Sequence, residues 1–326
     1  MRLARLAALT TLTLLAAAFA VEAQPAGKMW RIAMLSAALP RSTPHYQALE
    51  QRLAELGYAE GRNLVIDFRT AEAQHDRLPA LAAELVGRQP DVFVAIATPS
   101  ALATKRVTQT IPIVLAGVGD PLGTGIVPSL ARPGGNITGV SLLNVELSGK
   151  GLQLLKEMVP AAARVAVLWN SENRLHREVG TATEAAAATL KVGLQLLDVR
   201  GPDDLPKAFG AIVSQRADSL LVFPDPVTVA YRKPILDFAA SRRLPAMYPF
   251  REMVDEGGLI CYGPNLIEHF RLAAGYIDKI LKGARPGDLP IAQATKFDLI
   301  INLKTAKTLG LTIPPAVLAR ADEVIQ

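Results

Sequence analysis

The chain has one cysteine in 326 residues, Cys261. No internal disulfide can staple it, so its stability must come from burial. Cys261 lies in the apolar run Leu259–Tyr262, where a small buried hydrophobe is the expected role. Aromatic residues make up only 5% of the chain, and the charged residues, net +5, are scattered without a basic block. Nucleic-acid binding therefore has no footing. The four histidines, His45, His75, His176 and His269, are far apart and lack the spacing of metal ligands, so they read as solvated or capping side chains. There is no nucleophile elbow, no P-loop, and no carboxylate spacing that marks an acid/base pair. Gly117 and Gly119 begin a dinucleotide-type pattern, but Leu122 holds its third glycine position. Neither a catalytic residue, a metal nor a cofactor is expected, and the chain reads as non-enzymatic.

Only one long uncharged apolar run occurs, and it opens the chain. Arg2 and Arg5 precede Leu6–Ala20, and Val21-Glu22-Ala23 supplies the small residues of a cleavage site. Residues 1–23 thus read as a secretory signal peptide, too short for a membrane span. No cysteine follows to carry a lipid. The expected mature protein is soluble and periplasmic, without membrane insertion.

What remains is about 300 residues, more than one core usually serves. Strand-length apolar runs alternate with longer amphipathic segments: strands Arg31–Leu35, Leu64–Phe68, Val92–Ala97, Ile111–Ala116 and Asn136–Ser141, with helices His45–Leu56 (closed by Gly57), Leu78–Gly87 and Ser100–Thr108 between them. Such alternation predicts an α/β fold with a mostly parallel sheet and helices on both faces.

The series then repeats. RIAML at Arg31 matches RVAVL at Arg164, and IPIV around Pro112 matches LPAM around Pro245, each pair 133 residues apart. The second set comprises strands Arg164–Leu168, Leu194–Val199, Ser219–Phe223, Leu244–Met247 and Leu259–Gly263, with helices Thr183–Val192, Leu205–Gln215 and Pro234–Arg242. Two Rossmann-like doubly wound lobes are expected. The first takes residues 28–142 plus 264–285, the second 143–263 plus 286–326, and the helix Leu266–Lys282 and the segment Phe297–Leu309 cross back to make a multi-strand hinge.

Ligands of open α/β sheets bind beyond the carboxyl ends of the strands. In lobe 1 those positions are Ser36, Thr98-Pro99-Ser100-Ala101 and Asp120. Thr98 reads as a helix cap, with the free N–H groups of the first turn suited to an anion. Asp120 can meet an ammonium or initiate an Asp-Pro turn. In lobe 2 they are Trp169, Asn170, Asp225, Tyr248 and Tyr262. Asp225 can accept from a ligand amine or hydroxyl, or cap its own turn. The three aromatics can stack on a ligand or pack their lobe, and Phe250 reads as lobe packing.

Four stretches carry a family resemblance: GDPLGTGIVPSLARPGGNITGVS (Gly119–Ser141), LLKEMVPAAARVAVLWN (Leu154–Asn170), YPFREMVDEGGLICYGPN (Tyr248–Asn265) and FDLIINLKTAKTLGLTIPPAVLARADEVI (Phe297–Ile325). With them the chain resembles the ABC-transporter substrate-binding proteins of the tryptophan/aromatic amino-acid-binding-like group, which have the type I periplasmic binding fold. The resemblance implies a hinged receptor that hands a small ligand to a permease and its ATPase; because a clamp must move freely, a monomer is expected. It also implies that Thr98-Pro99-Ser100-Ala101 receives a ligand carboxylate, with Asp120 and Asp225 as candidates for the amino group. Ser36-Ala37-Ala38 stands where an aromatic could have closed the lobe 1 side. A sensor subunit read by a signalling receptor is the alternative, and a secreted enzyme a more distant one.

Overall fold

A computed structural model describes residues 28–142 and 144–326; the expected signal peptide lies outside the described residues. The first sheet is built from β1 (Trp30–Ser36), β2 (Leu64–Thr70), β3 (Val92–Ile96), β4 (Ile113–Gly119) and β5 (Ile137–Leu142), with α1 (Pro44–Glu55), α2 (Leu78–Gly87) and α3 (Thr98–Val107) between strands. Helix α4 (Asn144–Met158) leads to the second sheet. Its strands are β6 (Arg164–Trp169), β7 (Gly193–Asp198), β8 (Ser219–Val222), β9 (Ala246–Tyr248) and β10 (Ile260–Pro264). The helices of this half are α5 (Leu175–Leu190), α6 (Leu205–Ser214), the short α7 (Pro226–Ala230), α8 (Arg232–Ser241) and α9 (Arg251–Asp255). Then come α10 (Leu266–Leu281), β11 (Ala292–Gln293), β12 (Phe297–Asn302), α11 (Leu303–Leu309), α12 (Pro315–Leu318) and β13 (Glu323–Ile325).

The duplication read in the sequence is a duplication of topology. One sheet runs β11-β5-β4-β3-β1-β2 and the other β13-β12-β10-β9-β8-β6-β7, so five strands stand in the same order in each. A small device repeats as well. Asp91 accepts the N–H of Arg31 at 2.8 Å, and Asp218 accepts those of Ala163 and Arg164 at 2.8 and 2.7 Å. In each half a carboxylate thereby satisfies backbone donors at the start of the first strand.

Helices cover both faces of each sheet, as largely parallel sheets require. In β1, Ile32 and Met34 pack on α1 and α10, while Ala33 and Leu35 pack on α2 and α3. In β6, Val165 and Val167 meet α4 and α5, while Ala166 and Leu168 meet α6 and α8. The helix that follows the last strand of each half covers a face of the other half's sheet: α4 after β5, and α10 after β10. The chain consequently passes between sheets three times, after β5, after β10 and after β11.

Several boundaries differ from the sequence reading, each for a physical reason. Residues 286–293 stay with the first sheet, because Ala292 pairs with Val140 and Gln293 with Ser141. The chain returns to the second sheet only at β12, which runs antiparallel to β10. Helix α5 starts at Leu175 instead of Thr183: its first turns look polar, yet Leu175, His176 and Val179 are buried. Strand β4 continues to Gly119 through a register shift between Leu115 and Val118. There Gly139 of β5 has φ 132°, and a Cβ on it would run into the Leu115 backbone.

Gly139→Ala should cost more than about 2 kcal/mol, since it combines a glycine-only backbone angle with a backbone collision. Gly180→Ala, in open space on α5, should instead stabilise by up to about 1 kcal/mol. Urea denaturation of the two variants checks the opposite signs.

Candidate functional site

A cavity of about 440 Å³ lies where the carboxyl ends of both sheets point. The first lobe lines it with Ala37–Leu39 after β1, Ala97 and Thr98 after β3, Gly117 and Gly119 of β4, and Leu142 of β5. The second lobe contributes Asn173 beyond β6, Pro224 and Asp225 after β8, and Phe250 after β9. The strand ends read from the sequence thus converge on one cavity.

On the lobe 1 side the details differ from expectation. The cap of α3 is Ala97, whose backbone is left-handed at φ 70° and whose N–H donates to Ala116 O at 3.0 Å. Thr98 is the first helical residue; its hydroxyl accepts from the Gly119 N–H at 3.2 Å and so ties α3 to the end of β4. Of the four residues expected there, only Thr98 lines the cavity. Pro99 lies outside the lining, and Ser100 and Ala101 are buried beneath it. Asp120 serves its turn: it accepts from Gly123 N–H at 2.8 Å while its carbonyl takes the Thr124 N–H. It is absent from the lining. Ser36 is also behind the wall, with its hydroxyl 3.0 Å from the Tyr46 hydroxyl. Tyr46 itself faces the cavity. Burial pushes its phenol well above the ordinary range.

On the lobe 2 side Asp225 both lines the cavity and caps α7. Its Oδ1 accepts from Val227 N–H at 2.8 Å and Asn170 Nδ2 at 3.2 Å, and its Oδ2 from Asn173 Nδ2 at 2.8 Å. The carboxylate is buried and well supplied with donors, which is what makes its burial tolerable. His176 completes the group. Its Nδ1 accepts from the Asn170 N–H at 2.8 Å, so the proton sits on Nε2, facing Pro224 O at 3.3 Å. Burial depresses its basicity against the pull of Asp225, keeping the ring neutral. Asn170 therefore supports the site from behind, outside the lining. Trp169 is half-buried against the α4/α5 face. Tyr248 is core, 2% exposed, and Tyr262 packs toward Phe297; none of these three reaches the cavity. The aromatic that does is Phe250, read from sequence as packing only.

Sequence reasoning missed a second group at the rim. His45 of α1 and Glu252 of α9 face each other from opposite lobes, Nδ1 to Oε1 at 3.5 Å. The His45 ring lies 4.6 Å from that of Tyr46 and 4.7 Å from that of Phe270. Arg232 lines the same rim and is held by Glu256 at 2.7 Å. Burial raises the Glu252 carboxyl, but the His45 imidazole, its own backbone N–H and the charge of Arg232 outweigh that and leave it below the ordinary value. His45 and Glu252 are each the second residue of the helix that follows a strand, β1 and β9 respectively. Carrying the strand-tail rule to the first turn of the following helix would have reached both. The histidines also correct the sequence reading: His45, His176 and His269 are buried. His269 Nε2 accepts from the Gly117 N–H at 3.0 Å, and burial, reinforced by His45, pushes its pKa down to about 3. Among the described residues no three metal-ligating side chains converge, and no helix is long and apolar enough to cross a membrane.

The sequence model of the family described as ABC transporter substrate binding protein matches residues 40–325. A tyrosine-binding protein of Clostridioides difficile (strain R20291) is 29% identical over 263 residues, covering 79% of this chain and 74% of its own. The crystal structure of a conserved domain protein from Vibrio cholerae O1 biovar El Tor is similar with a TM-score of 0.86 and 31% identity, over 91% of this chain and all of that one. A streptococcal ABC domain in complex with L-Trp superposes with a TM-score of 0.84 and 26% identity, over 91% of this chain and 99% of that one.

The buried neutral imidazoles of His176 and His269 predict acid sensitivity. Their folded pKa values lie below the unfolded one, so the unfolded chain binds more protons as the pH falls below about 6.5. Stability should fall from there toward the folded value of about 3 for His269, by up to about 1.4 kcal/mol per pH unit for each ring. Urea melts at about pH 7 and pH 5 measure the slope. His269→Gln, which keeps an acceptor for Gly117, should make it shallower.

Proposed function

Because the chain belongs to the ABC transporter substrate-binding proteins, we propose that it is an exported, periplasmic receptor of an importer, taking an amino acid or a related small carboxylate into the interlobe cavity by hinge closure. One observation carries this reading: the strand tails of two duplicated sheets, joined by three crossings, line one shared cavity. Its size, about 440 Å³, falls within the usual range for small-molecule sites, roughly 300–1,000 Å³. Tyr46, Phe250, Met253, Leu266 and Phe270 supply an apolar wall, and the start of α3 at Thr98 offers its N–H to a carboxylate. The relatives that bind tyrosine and tryptophan support the ligand class.

A ligand that touches both lobes adds contacts only in the closed form and shifts the population by that difference. The closed form is what the permease and its ATPase partner would recognise. No bond is made or broken, and the receptor works as a monomer whose lobes move freely.

The mature protein should be stabilised by its ligand without consuming it. At a ligand concentration about 100 times Kd the gain should be about 2.7 kcal/mol. A thermal-shift screen of amino acids, small carboxylates, purines and sugars measures it. Silence across a broad panel counts against the receptor reading, and turnover of any hit contradicts it.

A further inference from the structure

We infer that His45 of one lobe and Glu252 of the other together receive a positively charged nitrogen of the ligand, so that the cavity selects amines and amino acids over plain carboxylates. This rests on the receptor reading and narrows its ligand.

The charge of the lining is the first support. Three carboxylates, Asp225, Glu252 and Glu256, face one guanidinium, that of Arg232. Arg232 is already engaged, its Nε donating to Glu256 at 2.8 Å and its Nη1 to Val229 O at 3.1 Å. No cationic side chain among the described lining residues is left to receive an acid. What favours a ligand anion is the starts of α1, α3 and α10, which line the cavity from the lobe 1 side, across from the acidic rim.

The second support is the state of the two residues. Asp225 is supplied by Asn170, Asn173 and Val227, and Glu256 by Arg232. Glu252 is the lining carboxylate that takes no hydrogen bond from another residue among the described ones; its neighbour is the His45 ring at 3.5 Å. His45 is only 4% exposed, and its Nδ1 has no hydrogen-bond partner among the described residues. A buried polar atom left this way is costly and calls for an occupant. An ammonium group has three donors and can give one to the imidazole and one to the carboxylate. Two acceptors sharing one nitrogen at about 2.8 Å stand about 4.5 Å apart. The ligand's nitrogen would therefore part the pair by about an ångström, a movement a hinge can supply. Tyr46, Phe270 and Phe250 stand beside the pair. They suit an apolar or aromatic body attached to that nitrogen, and their faces favour the cation itself.

The test is a matched ligand series on the full mature protein, read by calorimetry. For benzyl, 4-hydroxybenzyl and isobutyl bodies, each amino acid is compared with its N-acetyl derivative, its decarboxylated amine and its deaminated acid. Amine-bearing members should bind, and acetylation or deamination should weaken binding at least tenfold. Glu252→Gln should weaken the amine-bearing ligands at least tenfold. Asp237→Asn, at an exposed Lys233–Asp237 pair on α8, should not. His45→Leu is the second variant and should weaken the same ligands. Deaminated acids that bind as well as their amino acids, or Glu252→Gln with full affinity, would overturn the inference. Binding confined to acids or sugars overturns it and leaves the receptor intact, whereas silence toward every solute removes both.

Discussion

The architecture depends on one packing requirement: each parallel sheet must have both faces covered, and neither half of the chain covers its own. The first sheet needs α10, which the chain makes only after finishing β10. The second needs α4, which it makes directly after β5. Phe270, Ala273, Ala274 and Ile277 of α10 close a face over β3, β4 and β5, and Leu152 and Leu155 of α4 close one over β8, β9 and β10. This mutual debt forces the chain back and forth between the lobes. It also sets the strand tails of both sheets toward the same space, because each covering helix begins where a strand of the other half ends.

The cavity follows from that arrangement, and its chemistry is divided between the lobes. Lobe 1 brings a helix start, the Thr98 hydroxyl tied to Gly119, and the clustered rings of His45, Tyr46 and Phe270. Lobe 2 brings carboxylates: Asp225, locked by two asparagines and a helix start, and Glu252 and Glu256 at the rim. Asp225 is so fully supplied that its role is to hold α7 and the turn after β6 in place. The group with capacity left over is the pair that spans the gap. A site split in this way suits the proposed hinge closure, since a guest between the halves changes their separation.

The joints carry their own polar ties. Asn265 caps α10 by accepting from Glu268 N–H, and its Nδ2 donates to Asp298 of β12 at 2.9 Å. Lys296 pairs with Glu268 at 3.2 Å. Two of the crossing segments are thus linked to each other. An exposed pair such as the latter contributes little to stability. The amide of Asn265, joined to both segments, aligns them.

Much of the fold was legible in the amino-acid sequence because it is written in local periodicity. The apolar strand runs, the glycine after α1 and the 133-residue offset between Arg31 and Arg164 determine a duplicated α/β unit without reference to anything distant. The same pattern located the cavity, since strand tails are identifiable once strands are. Which side chains face that cavity was decided by tertiary structure. Asp120 and Asp225 look alike in sequence, each an aspartate beside a proline after a strand, yet one closes a turn outside the lining and the other is gripped by Asn170 and Asn173. Tyr248 and Phe250 lie two residues apart, and a tight corner after β9 sends one into the core and the other into the cavity. His45 and Glu252 are separated by two hundred residues of chain and meet only because the lobes oppose each other. Periodicity reports which face of its own element a residue occupies; what lies opposite that face depends on how the elements are brought together.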